Sequence, residues 1–348
     1  MPDAVVGWDL GGAHLKAVLI GAAGEARAAL QLPCPLWQGI HHLERAIDDV
    51  CRCVPAEAVL HAVTMTGEMA DLFTDRAHGV EQLLAALQRK LPAMRISVFA
   101  GRRGFLTVQD AAAAWRDVAS ANWLASAMLA ARRIGDGVLV DIGSTTTDVI
   151  PFAGGAVCAR GVDDHTRLAA GELVYTGVVR TPVMAMAARL PFGGEWLAPM
   201  AEHFATAADV YRLTGELPPD ADLGATADGR GKSSEESARR LARMIGCDAD
   251  VDAPLAAWTA LAEYVAELQL RRLHDACSRV LSEHAIGAGA PLAGAGVGSF
   301  IVRQTAQRLA RRYVDFSELV VADGVEVARI AACAPAFAVA ALLQAADG

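Results

Sequence analysis

No stretch of this 348-residue chain is long and apolar enough to cross a bilayer. The most apolar run near its end, residues 330–343, is interrupted by Pro335. Hydrophobic residues make up 53% and mean hydropathy is +0.30, but alanine carries much of that fraction, so a membrane protein is not implied. A basic footprint for nucleic acid is missing as well. Net charge is −9, the pI is about 5.5, and basic residues fall in local pairs such as Arg102–Arg103, Arg132–Arg133 and Arg311–Arg312. The opening MPDAVVGWDL has no basic segment ahead of its apolar run, so a strand is expected there and not a signal peptide. Seven scattered cysteines, an odd number, point to reduced thiols and a cytoplasmic chain. Cys51 and Cys53 form a C-x-C near His41, His42 and His61, yet no second pair supplies the usual zinc spacing. Helix-surface or half-buried thiols are expected instead.

With only 20% charged residues the chain can bury a large core, and its length suits two domains. The first thirty residues alternate apolar runs with turns: AVVGWDL, HLKAVLI and ARAALQL predict three consecutive antiparallel strands. A helix at 43–53, a strand at 59–65, a helix at 80–90 and a strand at 96–99 follow. Residues 109–133 are Ala-rich and proline-free, with Trp115, Val118, Trp123, Leu124, Met128 and Leu129 spaced like one buried helical face. After Gly135 the opening pattern returns as GVLVDIG, STTTDVIPF and GGAVCARG. Set over residues 138–152, residues 6–20 bring Asp9 onto Asp141, Gly11 onto Gly143, Gly12 onto Ser144 and Lys16 onto Asp148. A supersecondary unit has been duplicated. The expected domains are 1–134 and 135–348, the second carrying an insertion at about 191–252, rich in Gly, Pro, Asp and Ser. A long helix over 256–284, a strand and glycine turn in PLAGAGVGSF leading into a helix through Arg312, a strand in VDFSELVVAD and a closing helix complete an α/β pattern.

A strand that ends in Asp and runs into Gly-Gly or Gly-Ser offers a bend where backbone amides approach an anion closely. Two such bends facing one another would clamp a polyphosphate. Asp9 and Asp141 would hold Mg²⁺, largely through its water shell, and Lys16 would add positive charge. LAGAGVGS, a strand entering a glycine turn and a helix, matches many phosphate sites and is weak alone. An ordinary hairpin turn in an α/β core would explain either bend singly; the pair with the third loop is harder to explain that way.

This arrangement resembles the acetate-kinase, sugar-kinase, Hsp70 and actin superfamily, which implies two ribonuclease-H-like domains with a cleft between them. The segments VTMTGEMADLFTDRAHGV (63–80), SANWLASA (120–127), DIGSTTTDVIP (141–151), RLAAGELVYTGVVRTPV (167–183) and TADGR…RLARMIG (226–246) are similar to its hydantoinase/oxoprolinase-related branch. More narrowly they resemble the enzymes of methanofuran-type coenzyme biosynthesis. That resemblance implies a transferase joining an aminomethyl-furan-methyl diphosphate to the phenol of γ-glutamyltyramine, or a tyrosine-like acceptor, with release of diphosphate.

Under that reading Gly11, Gly12, Lys16, Gly143, Ser144, Thr145 and Thr146 bind diphosphate, and Gly294 and Gly296 line a third wall. A base would help remove the phenolic proton, whose usual pKa is about 10. Asp148, Glu68 and Glu172 are the candidates in that order. Each has a plainer alternative: Asp148 bracing its bend, Glu68 starting a helix, Glu172 bonding the backbone of its own turn. Arg180 would pair with a substrate carboxylate or with a surface acid. Tyr175 would stack on an aromatic substrate or sit in the core. The same bends also suit ATP, in a small-molecule kinase or an oxoprolinase-type amide hydrolase. A nucleotide-gated assembly protein is disfavoured because no partner-binding appendage is evident. A homo-oligomer is compatible with the sequence.

Overall fold

A computed structural model describes residues 4–54, 60–92, 94–284 and 286–347. Among them no helix is long and apolar enough to cross a membrane.

The first thirty residues form β1 (Val5–Leu10), β2 (His14–Ile20) and β3 (Ala26–Pro33), each antiparallel to the next. The chain then adds β4 (Leu60–Met65) parallel to β1, β5 (Arg95–Phe99) parallel to β4, and β6 (Phe105–Leu106) antiparallel to β5. Spatial order is β3-β2-β1-β4-β5-β6. β1 is buried along its whole length, which explains its unbroken apolar run in the middle of the sheet. Helices His41–Cys53 and Arg76–Lys90 present Leu43, Ile47, Val80, Leu83 and Leu87 to a core shared with Val6, Trp8 and Leu10. The C-terminal helix Ala334–Asp347 packs against β1, β2 and β4. Gly7 permits this, because a Cβ there would run into the backbone carbonyl of Ala336. The C-terminal segment 315–348 therefore belongs to the first compact unit, together with 1–137 and 152–158. Sequence order had placed it in a second domain running 135–348; apolar packing places it on the first sheet.

The second unit, 138–151 and 159–314, repeats the layout. β7 (Gly137–Ile142) lies beside β8 (Thr147–Ala153), whose far end pairs with β9 (Ala156–Val157) and whose near end pairs with β10 (Leu173–Val174). The third strand expected in GGAVCARG is thus only two residues long, since β10 takes the remaining edge of β8. A hairpin, β11 (Leu190–Phe192) and β12 (Glu195–Leu197), follows. β13 (Leu292–Ala295) lies parallel to β7, and β14 (Tyr313–Asp315) completes the order β10-β8-β7-β13-β14. Each sheet thus carries an antiparallel pair next to a central strand, with β4 and β5 parallel beyond it in the first and β13 parallel beyond it in the second, the ribonuclease-H-like pattern.

Two expectations change in detail. Residues 109–133 are not one helix: Val108–Ala113, Trp115–Val118 and Asn122–Ile134 are separated by breaks, and Ser120 has φ of 51°. VDFSELVVAD contributes β14 and then a 3₁₀ turn at Phe316–Leu319, which Asp315 and Glu318 cap reciprocally. The insertion has its own core. Helices Ala207–Thr214 and Ser234–Arg243 pack on the long helix Leu255–Glu283 around Val210, Leu241, Trp258, Leu261 and Val265.

Candidate functional site

The two Asp-Gly bends are wired alike. In the first, the Gly11 amide donates to the His14 carbonyl at 3.1 Å, closing the turn from β1 to β2. The Gly12 and Ala13 carbonyls accept from the amides of Leu36 (3.0 Å) and Cys34 (2.8 Å). In the second, the Gly143 amide donates to the Thr146 carbonyl at 2.9 Å. The Gly143 carbonyl accepts from Val178 (3.1 Å), and that of Ser144 accepts from Val179 (3.1 Å) and Arg180 (2.8 Å). A peptide's N–H and C=O point in opposite directions, so tying the carbonyls down on one side turns the amides of Ala13, Ser144 and Thr145 to the other. Among the described residues no protein acceptor meets those three amides. Oriented donors of this kind form a concavity for an anion.

The segment Thr176–Thr181, which ties down the second bend, is itself held by a buried network. Gly177 lies flat on the bend, donating through its amide to Thr181 Oγ1 at 2.8 Å. Thr147 Oγ1 donates to the Thr176 carbonyl at 2.7 Å. From the long helix, Gln269 Nε2 donates to Thr176 Oγ1 (2.8 Å) and to the Gly177 carbonyl (3.0 Å), while its Oε1 accepts from the Tyr211 hydroxyl (2.7 Å). Burial raises the Tyr211 hydroxyl pKa well above its ordinary value. Helix Ala207–Thr214 starts on the same segment, with Ala207 donating to Thr181 O and Ala208 to Val179 O. Sequence reading missed Gly177, Tyr211 and Gln269. Their only signal is the GELVYTGVVRTPV segment, because Tyr211 and Gln269 reach it from far along the chain.

The expected site residues fare differently. Asp9 sits on β1 opposite Lys16 of β2 and beside Thr64 of β4, and is 4% exposed. Asp141 is the penultimate residue of β7, at 9% exposure and next to Ala295 of β13. Gly296, at φ of 77°, leaves room for the Asp141 carboxylate, and the Gly298 amide donates to the Ile142 carbonyl at 2.9 Å. The third glycine loop therefore packs on the end of β7. Gly294 does not line a wall with it: a Cβ there would meet the Tyr313 ring at 2.6 Å, so this glycine serves packing. Ser144 and Thr145 hydroxyls lie 3.4 Å apart, while Thr146 is half-buried on the same bend. Arg180 and Tyr175 are exposed, so Tyr175 is not a core residue.

Two carboxylates expected as bases are committed elsewhere. Both Glu172 oxygens accept backbone amides, from Arg160 (2.7 Å) and Gly161 (2.8 Å), and the side chain is 1% exposed. That makes Glu172 a brace for the 160–161 turn. Asp148 is ion-paired with the fully buried Arg167, and burial pushes its pKa up against the pull of that guanidinium. It braces β8 against helix Asp164–Ala170. Glu68, in the turn Gly67–Met69, accepts from the Ser120 hydroxyl at 2.7 Å.

Among the described residues no cluster of three His, Cys, Asp or Glu could hold a metal. Asp9 and Asp141 offer hard oxygen donors, which suit Mg²⁺, an ion that keeps water and phosphate oxygens in its shell. Cys51 is half-buried and Cys53 exposed at the end of helix His41–Cys53, and all seven cysteines are free thiols.

The sequence matches the hydantoinase/oxoprolinase family over residues 60–345. It is 32% identical over 248 residues to the (4-{4-[2-(γ-L-glutamylamino)ethyl]phenoxymethyl}furan-2-yl)methanamine synthase of Methanocaldococcus jannaschii, covering 71% of this chain and 73% of the relative. It is 31% identical over 111 residues to the synthase of the same name from Methanococcus vannielii, covering 32% of this chain and 50% of that one. In fold it is similar to nucleotide-free acetone carboxylase, at a TM-score of 0.61 and 12% identity over 98% of this chain and 70% of the other. The chain belongs to the hydantoinase/oxoprolinase family and, like the synthases it matches, is an enzyme.

Proposed function

We propose that this enzyme acts in methanofuran-type coenzyme biosynthesis. It would join an aminomethyl-furan-methyl diphosphate to a phenol, the aromatic acceptor being γ-glutamyltyramine or a tyrosine-like analogue. The M. jannaschii relative's name describes a phenoxymethyl-furan, an aryl ether of this kind. In the reaction the carbon–oxygen bond to diphosphate breaks with its electron pair leaving on diphosphate. A phenol oxygen lone pair forms the new bond to the furanylmethyl carbon, and the phenolic proton passes to a base.

The ring oxygen spreads positive charge from the furanylmethyl carbon, so the protein's main task is to stabilise the departing anion with prearranged donors. The Ser144 and Thr145 amides, fixed by Thr176–Thr181, supply such donors, and the Ala13 amide offers the same chemistry in the first unit. Lys16 adds positive charge. Asp9 in the first unit and Asp141 in the second are each proposed Mg²⁺ ligands, and the ion when bound would neutralise diphosphate charge. With Glu172 and Asp148 committed to bracing, Glu68 is left as the base. Arg180 would meet the acceptor's glutamyl carboxylate.

The observation that carries this reading is the shared wiring of the two bends, which leaves amides aimed away from carbonyls already bound. Incubation of the enzyme with Mg²⁺, the furanylmethyl diphosphate and γ-glutamyltyramine, tyramine or tyrosine, followed by mass spectrometry, tests it. The aryl ether and one equivalent of diphosphate are expected. Substrate recovered intact, or an ether formed only when ATP is consumed, would overturn it.

A further inference from the structure

Three departures from ordinary local preference converge on Glu68. The first is burial: Glu68 is 1% exposed, and such residues are almost never fully buried unless paired. The second is Gly79, in the first turns of helix Arg76–Lys90, where glycine weakens a helix. A Cβ at Gly79 would lie 2.7 Å from Glu68 Cα, so the helix can sit directly on the Glu68 backbone only because that atom is absent. The third is Ser120, one of two non-glycine residues with positive φ among the described residues. Its left-handed backbone aims Oγ at Glu68 Oε1, 2.7 Å away. Strained conformations of this kind persist where the surroundings over-determine them, and they gather at functional sites.

The turn that carries Glu68 also touches the first bend. A Cβ at Gly67 would meet Leu10 O at 3.0 Å and Gly11 C at 3.2 Å, and one at Gly12 would meet Gly67 Cα at 3.9 Å. The Glu68 backbone is therefore fixed by Gly67 against the bend and Gly79 beneath it, and its carboxylate by the Ser120 hydroxyl at one oxygen.

We infer that Ser120 is a positioning residue that holds the Glu68 carboxylate oriented beside the first bend, to take the proton of the phenolic acceptor. The inference rests on the transferase reading above. In the step, the phenolic O–H proton moves to a Glu68 oxygen while the phenol oxygen bonds to the furanylmethyl carbon and diphosphate departs with the electron pair of the broken bond. Donation from Ser120 favours the ionised carboxylate, which is the form that accepts a proton.

Ser120→Gly isolates the hydroxyl, because glycine accepts the left-handed backbone without strain and the fold should hold. Its kcat should fall about tenfold or more, the loss expected for a hydrogen bond to a charged group. KM for the furanylmethyl diphosphate should stay within about twofold, and the acid limb of the pH–rate profile should move to higher pH. Carboxylate ¹³C NMR of the full chain, with Glu68→Gln identifying the resonance, should show Glu68 titrating at higher pH in Ser120→Gly than in the parent. Parental kcat and pH profile in Ser120→Gly, or an unmoved Glu68 titration, would overturn the inference. The NMR arm reads out even if the parent forms no ether, a result that would count against the transferase reading alone.

Discussion

Gly177 lies so close to the Ser144–Thr145 peptide that a Cβ on it would sit 2.5 Å from the Thr145 nitrogen. That approach lets the Val178, Val179 and Arg180 amides reach the carbonyls of the bend. Gly177→Ala should push the segment off the bend while leaving both sheets intact. We expect magnesium diphosphate affinity to fall about tenfold or more, as for one or two lost hydrogen bonds to a charged ligand, with little change in far-ultraviolet circular dichroism. Calorimetric titration showing parental affinity in the variant would mean that the segment does not shape the anion site.

Asp148 and Arg167 form a buried ion pair, so their loss should register first as instability. Arg167→Met leaves a carboxylate buried without its partner and should cost about 3–5 kcal/mol. The double variant Asp148→Asn/Arg167→Met should recover part of that loss. Urea unfolding midpoints measure both. If Asp148→Asn abolished turnover at unchanged stability, the carboxylate would be acting in the reaction and not as a brace.

Asp141 lies near the end of β7 beside the third glycine loop and contributes little apolar packing. Asp141→Ala should retain the fold by circular dichroism and lose turnover, since the carboxylate is proposed to hold the metal. Lys16→Ala should mainly raise KM for the diphosphate substrate. Parental turnover in Asp141→Ala would remove Asp141 from the site.

His61 supplies a pH signature of the first unit. Its Nδ1 accepts from Trp8 Nε1 at 3.0 Å, and burial lowers its pKa to about 4. The unfolded chain, with an ordinary histidine pKa near 6.5, binds a proton that the folded chain refuses between those values. Stability from this residue is thus complete above about pH 6.5 and is lost as pH falls towards 4, by on the order of 3 kcal/mol. His61→Gln keeps an acceptor for Trp8 and should flatten that part of the profile. Chemical denaturation at pH 7 and pH 4.5 compares the two; equal acid sensitivity in both proteins would assign the effect elsewhere.

Much of the fold was legible because both sheets open with strands whose apolar runs end in the same Asp-x-Gly turn, so Asp9 and Asp141 could be aligned by eye. The helix break near Ser120 was not legible: an Ala-rich, proline-free stretch satisfies a helical pattern at every position, and only a contact to Glu68, 52 residues away, shows why the chain leaves it. The docking of 334–347 on the first sheet was hidden for a similar reason, since Gly7 reads as an ordinary strand residue until it meets its partner at Ala336. At the site, spacing identified the bends but not what each carboxylate does. Asp148 and Glu172 differ from Glu68 only in their partners, Arg167 for one and two backbone amides for the other, and partners far along the chain leave no periodic trace.

The central claim is that the Ser144–Thr145 bend, held by Thr176–Thr181, is a proposed site for a diphosphate group. Thermal unfolding of the full chain with Mg²⁺ and increasing diphosphate, run beside Mg²⁺ and ATP, tests it most directly. Diphosphate at about 100 times its Kd should add about 2.7 kcal/mol of stability, and Gly177→Ala should lose most of that gain. Strong stabilisation by ATP with none by diphosphate would contradict the account.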